Sequence, residues 1–191
     1  MMRLFIALPL GPQAEAYLGE VAGLLKQKGG AVKWVDARNI HLTVRFLGDT
    51  EEAHVHALKE LLDTVAGRYS PVEATIDRLG AFPNLRRPRV FWVGLRDGLD
   101  VLENLATEVE QGVRRLGFDP EQKRFKPHLT LGRVRKNQGL DSLTAFIGSF
   151  EFVETPLRLD RLVLFKSTLT PRGPIYDRLH EAMLGEQRFE G

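Results

Sequence analysis

The chain has 191 residues, of which 43% are hydrophobic and 27% charged, and its formal net charge is +2. These proportions are ordinary for a globular protein, and the length suits one domain or two small lobes that share a core. The absence of cysteine excludes disulfides, thiolate catalysis and zinc sites built from cysteines.

The sequence gives no sign of secretion or of membrane insertion. The apolar start of the chain is only about eight residues long and lacks a small-residue cleavage site, so it is interpreted as a first strand. No stretch approaches the ~20 apolar residues that a membrane span needs. We therefore expect a cytoplasmic protein. Arginine outnumbers lysine by 19 to 8, which suits phosphate recognition but is equally expected of a GC-rich genome or a heat-adapted host.

The first half of the chain combines short strands with two helices. The predicted elements are a strand over 3–8, a helix over 13–28, strands over 33–35 and 40–47, a helix over 51–67, and strands over 72–76 and 90–95. Gly29 and Gly30 are expected to end the first helix, and Asp49 or Thr50 to cap the second. Residues 83–88 are predicted to form a turn.

The second half repeats this alternation. Its predicted elements are a helix that opens at Asp97 or Asp100 and runs to about Leu116, a strand over 128–134, a short helix over about 140–148, strands around 150–153 and 157–166, and a last segment over 175–184. Strands outnumber helices and often occur as neighbouring pairs. The pattern therefore predicts an α+β fold with antiparallel sheets and helices packed on them.

One short phrase occurs twice, as His41-Leu42-Thr43-Val44 and as His128-Leu129-Thr130-Leu131. In a strand, residues i and i+2 lie on the same face, so each phrase directs an imidazole and a hydroxyl to one point. No linker separates the two halves that contain these phrases. We therefore predict one domain over residues 1–191, with two closely packed lobes whose motif strands face each other across a cleft.

Two opposed imidazoles can act as general base and general acid in one displacement, because the pKa of histidine lies near neutrality. The threonine hydroxyls can donate hydrogen bonds to the non-bridging oxygens of a phosphoryl group. This chemistry requires no metal, and the sequence has no recognisable cluster of zinc ligands. His54, His56 and His180 are interpreted as ordinary surface residues.

The residues around both motifs resemble those of the 2H phosphoesterase superfamily, which is named for its two His-x-Thr motifs. Within it, the chain is most similar to the bacterial and archaeal RNA 2′,3′-cyclic phosphodiesterases, historically called 2′-5′ RNA ligases. The matching phrases cover most of the chain; they are MRLFIAL (2–8), WV (34–35), HLTVRFLGD (41–49), FPNLRRPRVFWVGL (82–95), FKPHLTLGRV (125–134) and LFKSTLTPRGPIYDRL (164–179).

The resemblance implies a bilobal fold with pseudo-twofold symmetry, in which two antiparallel sheets face a central cleft and the helices cover the outer faces. It implies that a nucleoside 2′,3′-cyclic phosphate is opened to a 2′-phosphate without a metal or another cofactor. It also implies a weak, ATP-independent reverse reaction that makes a 2′-5′ linkage. The implied partners are RNA ends, including tRNA fragments, or small cyclic nucleotides, and we expect a monomer.

The resemblance also assigns the site residues. His41 and His128 are the expected catalytic residues, with His128 as the base that activates water and His41 as the acid. The expected substrate-binding residues are Thr43, Thr130, Arg133, Arg45, Phe5 and Phe46.

Three of these assignments depend on strand geometry. Arg133 follows His128 by five positions, so plain alternation would turn it away from the cleft, and a bulge at Gly132 would bring it back. Arg45 follows His41 by four positions and is expected to share its face, either at the phosphate or as a solubilising residue at the rim. Phe5 and Phe46 are candidates for stacking on a base, although aromatic residues beside strands are more often part of the core.

Two alternatives remain at the sequence level. The same superfamily chemistry would also fit ADP-ribose 1″,2″-cyclic phosphate. A module that binds a nucleotide or RNA without catalysis would keep the cleft, although both histidines and both threonines are intact.

Overall fold

Two antiparallel sheets organise the fold, which a computed structural model describes for residues 1–185. The strands are β1 (Met2–Pro9), β2 (Ala31–Trp34), β3 (His41–Thr50), β4 (Val72–Phe82), β5 (Val90–Arg96), β6 (His128–Lys136), β7 (Thr155–Leu159), β8 (Arg161–Thr170) and β9 (Gly173–Met183). The helices are α1 (Pro12–Lys26), α2 (His54–Ala66), α3 (Leu99–Arg115) and α4 (Asp141–Ser149), and a 3₁₀ turn covers Ala37–Asn39. Of the helices within residues 1–185, none is both long and apolar enough to cross a membrane.

Each sheet contains one of the two motif strands. The four-stranded sheet has the order β3-β1-β8-β9, and the five-stranded sheet has the order β2-β6-β5-β4-β7. The motif strand β3 pairs with β1, and the motif strand β6 pairs with β5, both antiparallel. The two motif strands also approach each other directly. The fold therefore brings the two copies of the motif together from different sheets.

Alternation along β1 shows how the four-stranded sheet is covered. Leu4, Ile6 and Leu8 are fully buried in the large core, which also contains apolar residues of all four helices. The intervening Phe5 and Ala7 belong to a separate small cluster on the other face. Because the strand turns alternate side chains to opposite faces, one face of this sheet packs on the helices and the other forms a wall of the cleft.

The predicted cap of the second helix is wrong. Asp49 and Thr50 remain in β3, where they pair with Arg3 and Met2 of β1. The helix begins only at His54, and its N-terminus has no side-chain cap. The strand continues to Thr50 because pairing with β1 satisfies the backbone groups of Asp49 and Thr50 themselves. The third helix follows Gly98, at φ +66°, so neither Asp97 nor Asp100 caps it either.

The predicted strand over 157–166 consists of two strands in different sheets. Strand β7 lies at the edge of the five-stranded sheet, and β8 lies inside the four-stranded sheet. Asp160 separates them, and its carbonyl accepts a hydrogen bond from the Leu184 amide at 2.8 Å. The sequence does not reveal that the chain crosses from one sheet to the other here, because both strands contain buried apolar residues and together form one apolar run. The predicted strand around 150–153 is not present, since these residues have no regular structure.

Candidate active site

His41 is the first residue of β3, and its ring is oriented by the backbone just before the strand. Its Nδ1 lies 2.6 Å from the carbonyl oxygen of Asn39. His128, the first residue of β6, makes the same contact with the carbonyl oxygen of Lys126, also at 2.6 Å. Because a carbonyl oxygen can only accept, Nδ1 carries the proton in both rings. Nε2 is therefore the ring atom that each histidine can offer to a substrate.

The ring of His41 lies in an aromatic box. It stacks on Phe5 at 4.9 Å between ring centroids, meets the edge of Tyr176 at 5.6 Å and lies 6.1 Å from Phe165. Burial lowers the pKa of His41, although the hydrogen bond to the Asn39 carbonyl opposes this. Of these rings, Phe5 is the one that stacks its electron-rich face on the imidazole, a contact that is favourable for a positive charge on that ring.

His128 lies in a more open environment on the second sheet. The edge of its ring meets Phe82 at 5.0 Å between centroids. Burial is again the main reason that its pKa is lowered, and the positive charge of Arg133 lowers it further. The two histidines thus share one tautomer but differ in their neighbours: three aromatic rings lie around His41, whereas His128 has one aromatic neighbour and the positive charge of Arg133.

Arg133 connects the two halves of the site. Its guanidinium lowers the pKa of His128 on one side and opposes the burial-driven rise in the pKa of Tyr176 on the other. Tyr176 is the residue whose ring meets His41. The positive charge of Arg133 therefore acts on His128 and on the Tyr176 ring that contacts His41, and the two motif strands themselves are in contact.

A bulge follows the threonine in each motif strand. In β3, Thr43 pairs with Ala7 and Arg45 pairs with Ile6, so Val44 is the extra residue. In β6, Thr130 pairs with Trp92 and Gly132 pairs with Phe91, so Leu131 is the extra residue. A bulge of this kind reverses the alternation downstream of it.

The bulge in β6 returns Arg133 to the face of His128 and Thr130. The predicted irregularity is therefore present, one residue earlier than Gly132. Gly132 remains necessary for a different reason, because a Cβ at this position would lie 2.8 Å from the Trp34 ring and from Val32. Arg133 itself is exposed toward the cleft.

The prediction that Arg45 shares the face of His41 is wrong. Arg45 is 9% exposed, and its Nε donates to Glu110 of α3 at 2.5 Å. Its other nitrogens donate to the carbonyls of Phe46 and Asp119, and Glu121 lies 3.7 Å away. The bulge at Val44 turns Arg45 toward α3. There its hydrogen bonds to Glu110 and to the Asp119 carbonyl hold the segment between α3 and β6 against β3.

Because of the same bulge, Phe46 lies on the face of Thr43, although plain alternation would place it on the opposite face. Its ring is 42% exposed and lies beneath the guanidinium of Arg3, at 4.8 Å from the ring centroid. Phe5 behaves differently, because it is 3% exposed and stacks on both His41 and Phe165. Phe5 therefore supports His41 and has no free ring surface for a base. Thr43 is exposed and Thr130 half-buried, each two residues after its histidine.

Several residues that shape the site were not singled out from the sequence. They are Phe165 and Tyr176 around His41, Phe82 beside His128, and the carbonyls of Asn39 and Lys126. The three aromatic residues lie inside phrases that carry the family resemblance, which was the available signal. No sequence signal could identify the two carbonyls, because every residue has a backbone carbonyl.

The interpretation of the other histidines as surface residues fails for two of them. His180 is only 14% exposed and lies 2.7 Å from Asp63. His54 is half-buried against Phe118, at 5.2 Å between ring centroids. Only His56 is exposed, beside Glu60 on α2. Within residues 1–185, no three histidine, aspartate or glutamate side chains come together as a potential metal site.

Comparison with known proteins agrees with this geometry. The profile of the LigT-like phosphoesterase family matches the chain twice, over residues 8–92 and 93–176, so that each match contains one His-x-Thr phrase. An RNA 2′,3′-cyclic phosphodiesterase of Archaeoglobus fulgidus is 37% identical over 181 residues, which are 93% of this chain and 98% of the relative. The RNA 2′,3′-cyclic phosphodiesterase of Thermotoga maritima is 33% identical over 190 residues, with 100% of this chain and 97% of the relative covered.

Solved structures show the same fold. A crystal structure of a Thermus thermophilus protein, TT0787, superposes with a TM-score of 0.80 at 26% identity, over 98% of this chain and 100% of that one. E. coli LigT complexed with 3′-AMP superposes with a TM-score of 0.74 at 24% identity, over 97% and 99%. The two motif-bearing halves, the two sheets and the full-length matches lead to one conclusion: the chain belongs to the LigT-like family of 2H phosphoesterases.

Proposed function

We propose that the protein is a metal-independent cyclic phosphodiesterase that opens the 2′,3′-cyclic phosphate at an RNA end, or on a nucleoside, to a 2′-phosphate. The observation that carries this proposal is the pair of identically oriented histidines in one cleft. Each ring has its Nδ1 on a backbone carbonyl, and Nε2 is left for proton transfer. The relatives named RNA 2′,3′-cyclic phosphodiesterase support the substrate class.

The mechanism follows from the surroundings of each histidine. Nε2 of His128 takes a proton from water, and the water oxygen forms a bond to phosphorus. The bond between phosphorus and the 3′-oxygen breaks, and Nε2–H of His41 gives its proton to that oxygen. The phosphate remains on the 2′-oxygen, and exchange with solvent restores both imidazoles.

Two contacts support this order of roles. Arg133 disfavours a positive charge on His128, which keeps that ring neutral as a base requires. The face of Phe5, which stacks on His41, can stabilise an imidazolium, which an acid requires. Thr43, Thr130 and Arg133 donate hydrogen bonds to the non-bridging oxygens, where negative charge builds in the transition state. The same displacement with a 5′-hydroxyl in place of water gives the 2′-5′ linkage: His128 takes the proton of that hydroxyl, its oxygen bonds to phosphorus, and the 3′-oxygen again leaves with the proton of His41.

The test is an assay of the purified protein with adenosine 2′,3′-cyclic phosphate and with an RNA that ends in the cyclic group, each with and without EDTA. We expect a 2′-phosphate product, identified by ³¹P NMR, at the same rate in both conditions. A 3′-phosphate product or a loss of activity on chelation would contradict the proposal. Turnover restricted to ADP-ribose 1″,2″-cyclic phosphate would identify the alternative substrate, and binding without turnover would identify a non-catalytic module.

A further inference from the structure

The five-stranded sheet carries a second set of side chains beside the catalytic strand. Across β6, β5 and β4, the cross-strand pairs form three rows on the cleft face. The rows are His128, Gly94 and Arg78; Thr130, Trp92 and Gly80; and Arg133, Val90 and Phe82. Trp92 on β5 and Phe82 and Arg78 on β4 therefore lie next to the catalytic residues of β6 on the same face of the sheet.

Two glycines make the floor of this region. A Cβ at Gly80 would lie 2.4 Å from the Trp92 ring, and a Cβ at Gly94 would lie 2.7 Å from the Arg78 guanidinium. The indole and the guanidinium therefore lie flat along the sheet. Phe82 contacts Trp92 at 5.1 Å and His128 at 5.0 Å between ring centroids, so the aromatic surface runs up to the catalytic ring.

A pocket of about 290 Å³ opens over these residues. The connection before β6 supplies its outer wall with Arg124, Phe125 and Lys126, and the first turns of α3 close it with Leu99 and Glu103. The pocket lining thus has three cationic side chains and one carboxylate, and the guanidinium of Arg78 also pairs with Asp77 at 2.8 Å. Arg124 is 82% exposed and lies 3.9 Å from Glu103, a separation at the limit of an ion pair.

We propose that this pocket binds the nucleotide that precedes the cyclic phosphate, and that the preferred substrate is therefore an RNA strand of two or more nucleotides. The inference rests on the proposed function and adds the extent of its substrate. Trp92 and Phe82 offer ring surface for a base, and Arg78 and Arg124 neutralise the connecting phosphodiester. Stacking does not distinguish among bases, so the pocket selects polymer over monomer without selecting sequence.

The test compares two substrates in the same protein, adenosine 2′,3′-cyclic phosphate and a pentaribonucleotide that ends in a 2′,3′-cyclic phosphate. We expect the wild type to favour the pentanucleotide in kcat/KM by about tenfold or more at low salt. Arg78→Gln combined with Arg124→Gln should lower this ratio by about tenfold. It should also reduce the slope of log kcat/KM against log salt for the pentanucleotide by about 0.7, because both arginines face one connecting phosphodiester and each neutralised phosphate contributes ~0.7 for a single strand.

The matched control is Arg114→Gln combined with Arg115→Gln, which removes the same charge from the other end of α3. At 1.5 Å per residue this end is about 20 Å from the pocket, so the ratio should stay within about twofold of the wild type. The single Arg124→Gln variant guards against misfolding, because this side chain is exposed, and it should show part of the effect.

The outcomes separate this inference from the proposed function. If the wild type hydrolyses both substrates with equal kcat/KM, or if both double variants change the ratio alike, the pocket does not bind RNA although the enzyme activity stands. If the wild type hydrolyses neither substrate, the proposed function and this inference both fail.

Discussion

At the scale of single residues, the site orients both histidines in the same way but gives them different neighbours. Nδ1 of His41 and of His128 is held by the carbonyl two residues earlier, so neither ring depends on a carboxylate partner. Burial lowers the pKa of both. Their difference arises from the neighbours, because Phe5 stacks on His41 and Arg133 acts on His128. An acid and a base can thus be made from the same local structure.

The assignment of acid and base predicts an asymmetric rescue. His41→Ala and His128→Ala should each lower turnover by about two to four orders of magnitude. Sulfur at the 3′ position leaves without help from an acid, so a 3′-thio substrate should restore much of the activity of His41→Ala and little of that of His128→Ala. The measurement is single-turnover kinetics with oxygen and sulfur substrates. Rescue of His128→Ala alone would reverse the assignment.

The threonines should behave as hydrogen-bond donors. Thr43→Ala and Thr130→Ala should each reduce kcat by roughly tenfold to a hundredfold, less than either histidine change, because each deletes one bond to a phosphoryl oxygen. Thr43→Ser and Thr130→Ser retain the hydroxyl and should stay within about threefold of the wild type. Steady-state kcat on the cyclic nucleotide checks this. Equal damage from serine and alanine would mean that the methyl group packs and the hydroxyl has no role.

At the scale of the elements, the bulge after each threonine decides which side chains reach the cleft. The sequence predicted the helices, most strands and the two histidines, because these depend on periodicity and on a repeated motif. Arg45 could not be placed by alternation, since Val44 breaks the alternation and no glycine or proline marks the break. The repeat held a better signal: HLTVRF and HLTLGR align Arg45 with Gly132 and Phe46 with Arg133. The alignment therefore transfers the bulge inferred for β6 to β3.

The position of Arg45 predicts a structural effect in place of a direct catalytic one. Arg45→Met removes the donor to one carboxylate oxygen of Glu110 and to the Asp119 carbonyl, which should cost about 2 kcal/mol and lower Tm by roughly 4–8 °C. Arg38→Met is the control, because the ion pair of Arg38 with Asp36 is exposed and should contribute almost nothing. Differential scanning calorimetry measures both. A large loss of activity in Arg45→Met with an unchanged Tm would indicate contact with the substrate.

At the scale of the whole molecule, the proposed catalysis requires residues of both sheets at once. The four-stranded sheet supplies His41, the five-stranded sheet supplies His128, and Arg133 acts on the surroundings of both. Neither half contains a complete site, although each half matches the family profile by itself. The packing of the two sheets therefore sets the distance over which protons move.

This division of labour predicts the pH profile. The base must be neutral, so the rate falls as pH drops below its pKa, and the acid must be protonated, so the rate falls as pH rises above its pKa. Both pKa values are lowered from 6.5 in the free protein, so the bell of kcat/KM should have its maximum below 6.5. The sequence alone predicts a maximum near neutrality. The bound phosphate anion favours protonated imidazole, so the profile of kcat should lie at higher pH than that of kcat/KM. A kcat/KM maximum at neutral pH or above would contradict this.

The carbonyls that hold the two rings have a consequence for how this protein tolerates change. The side chains of Asn39 and Lys126 take no part in fixing the tautomers, so point substitutions there leave that bond in place. An inserted or deleted residue between positions 39 and 41, or between 126 and 128, would instead put the wrong carbonyl under the ring. These two segments should therefore tolerate substitutions but not changes of length. A library of variants that changes the residues at positions 39 and 126 but keeps the spacing to each histidine should contain many active members.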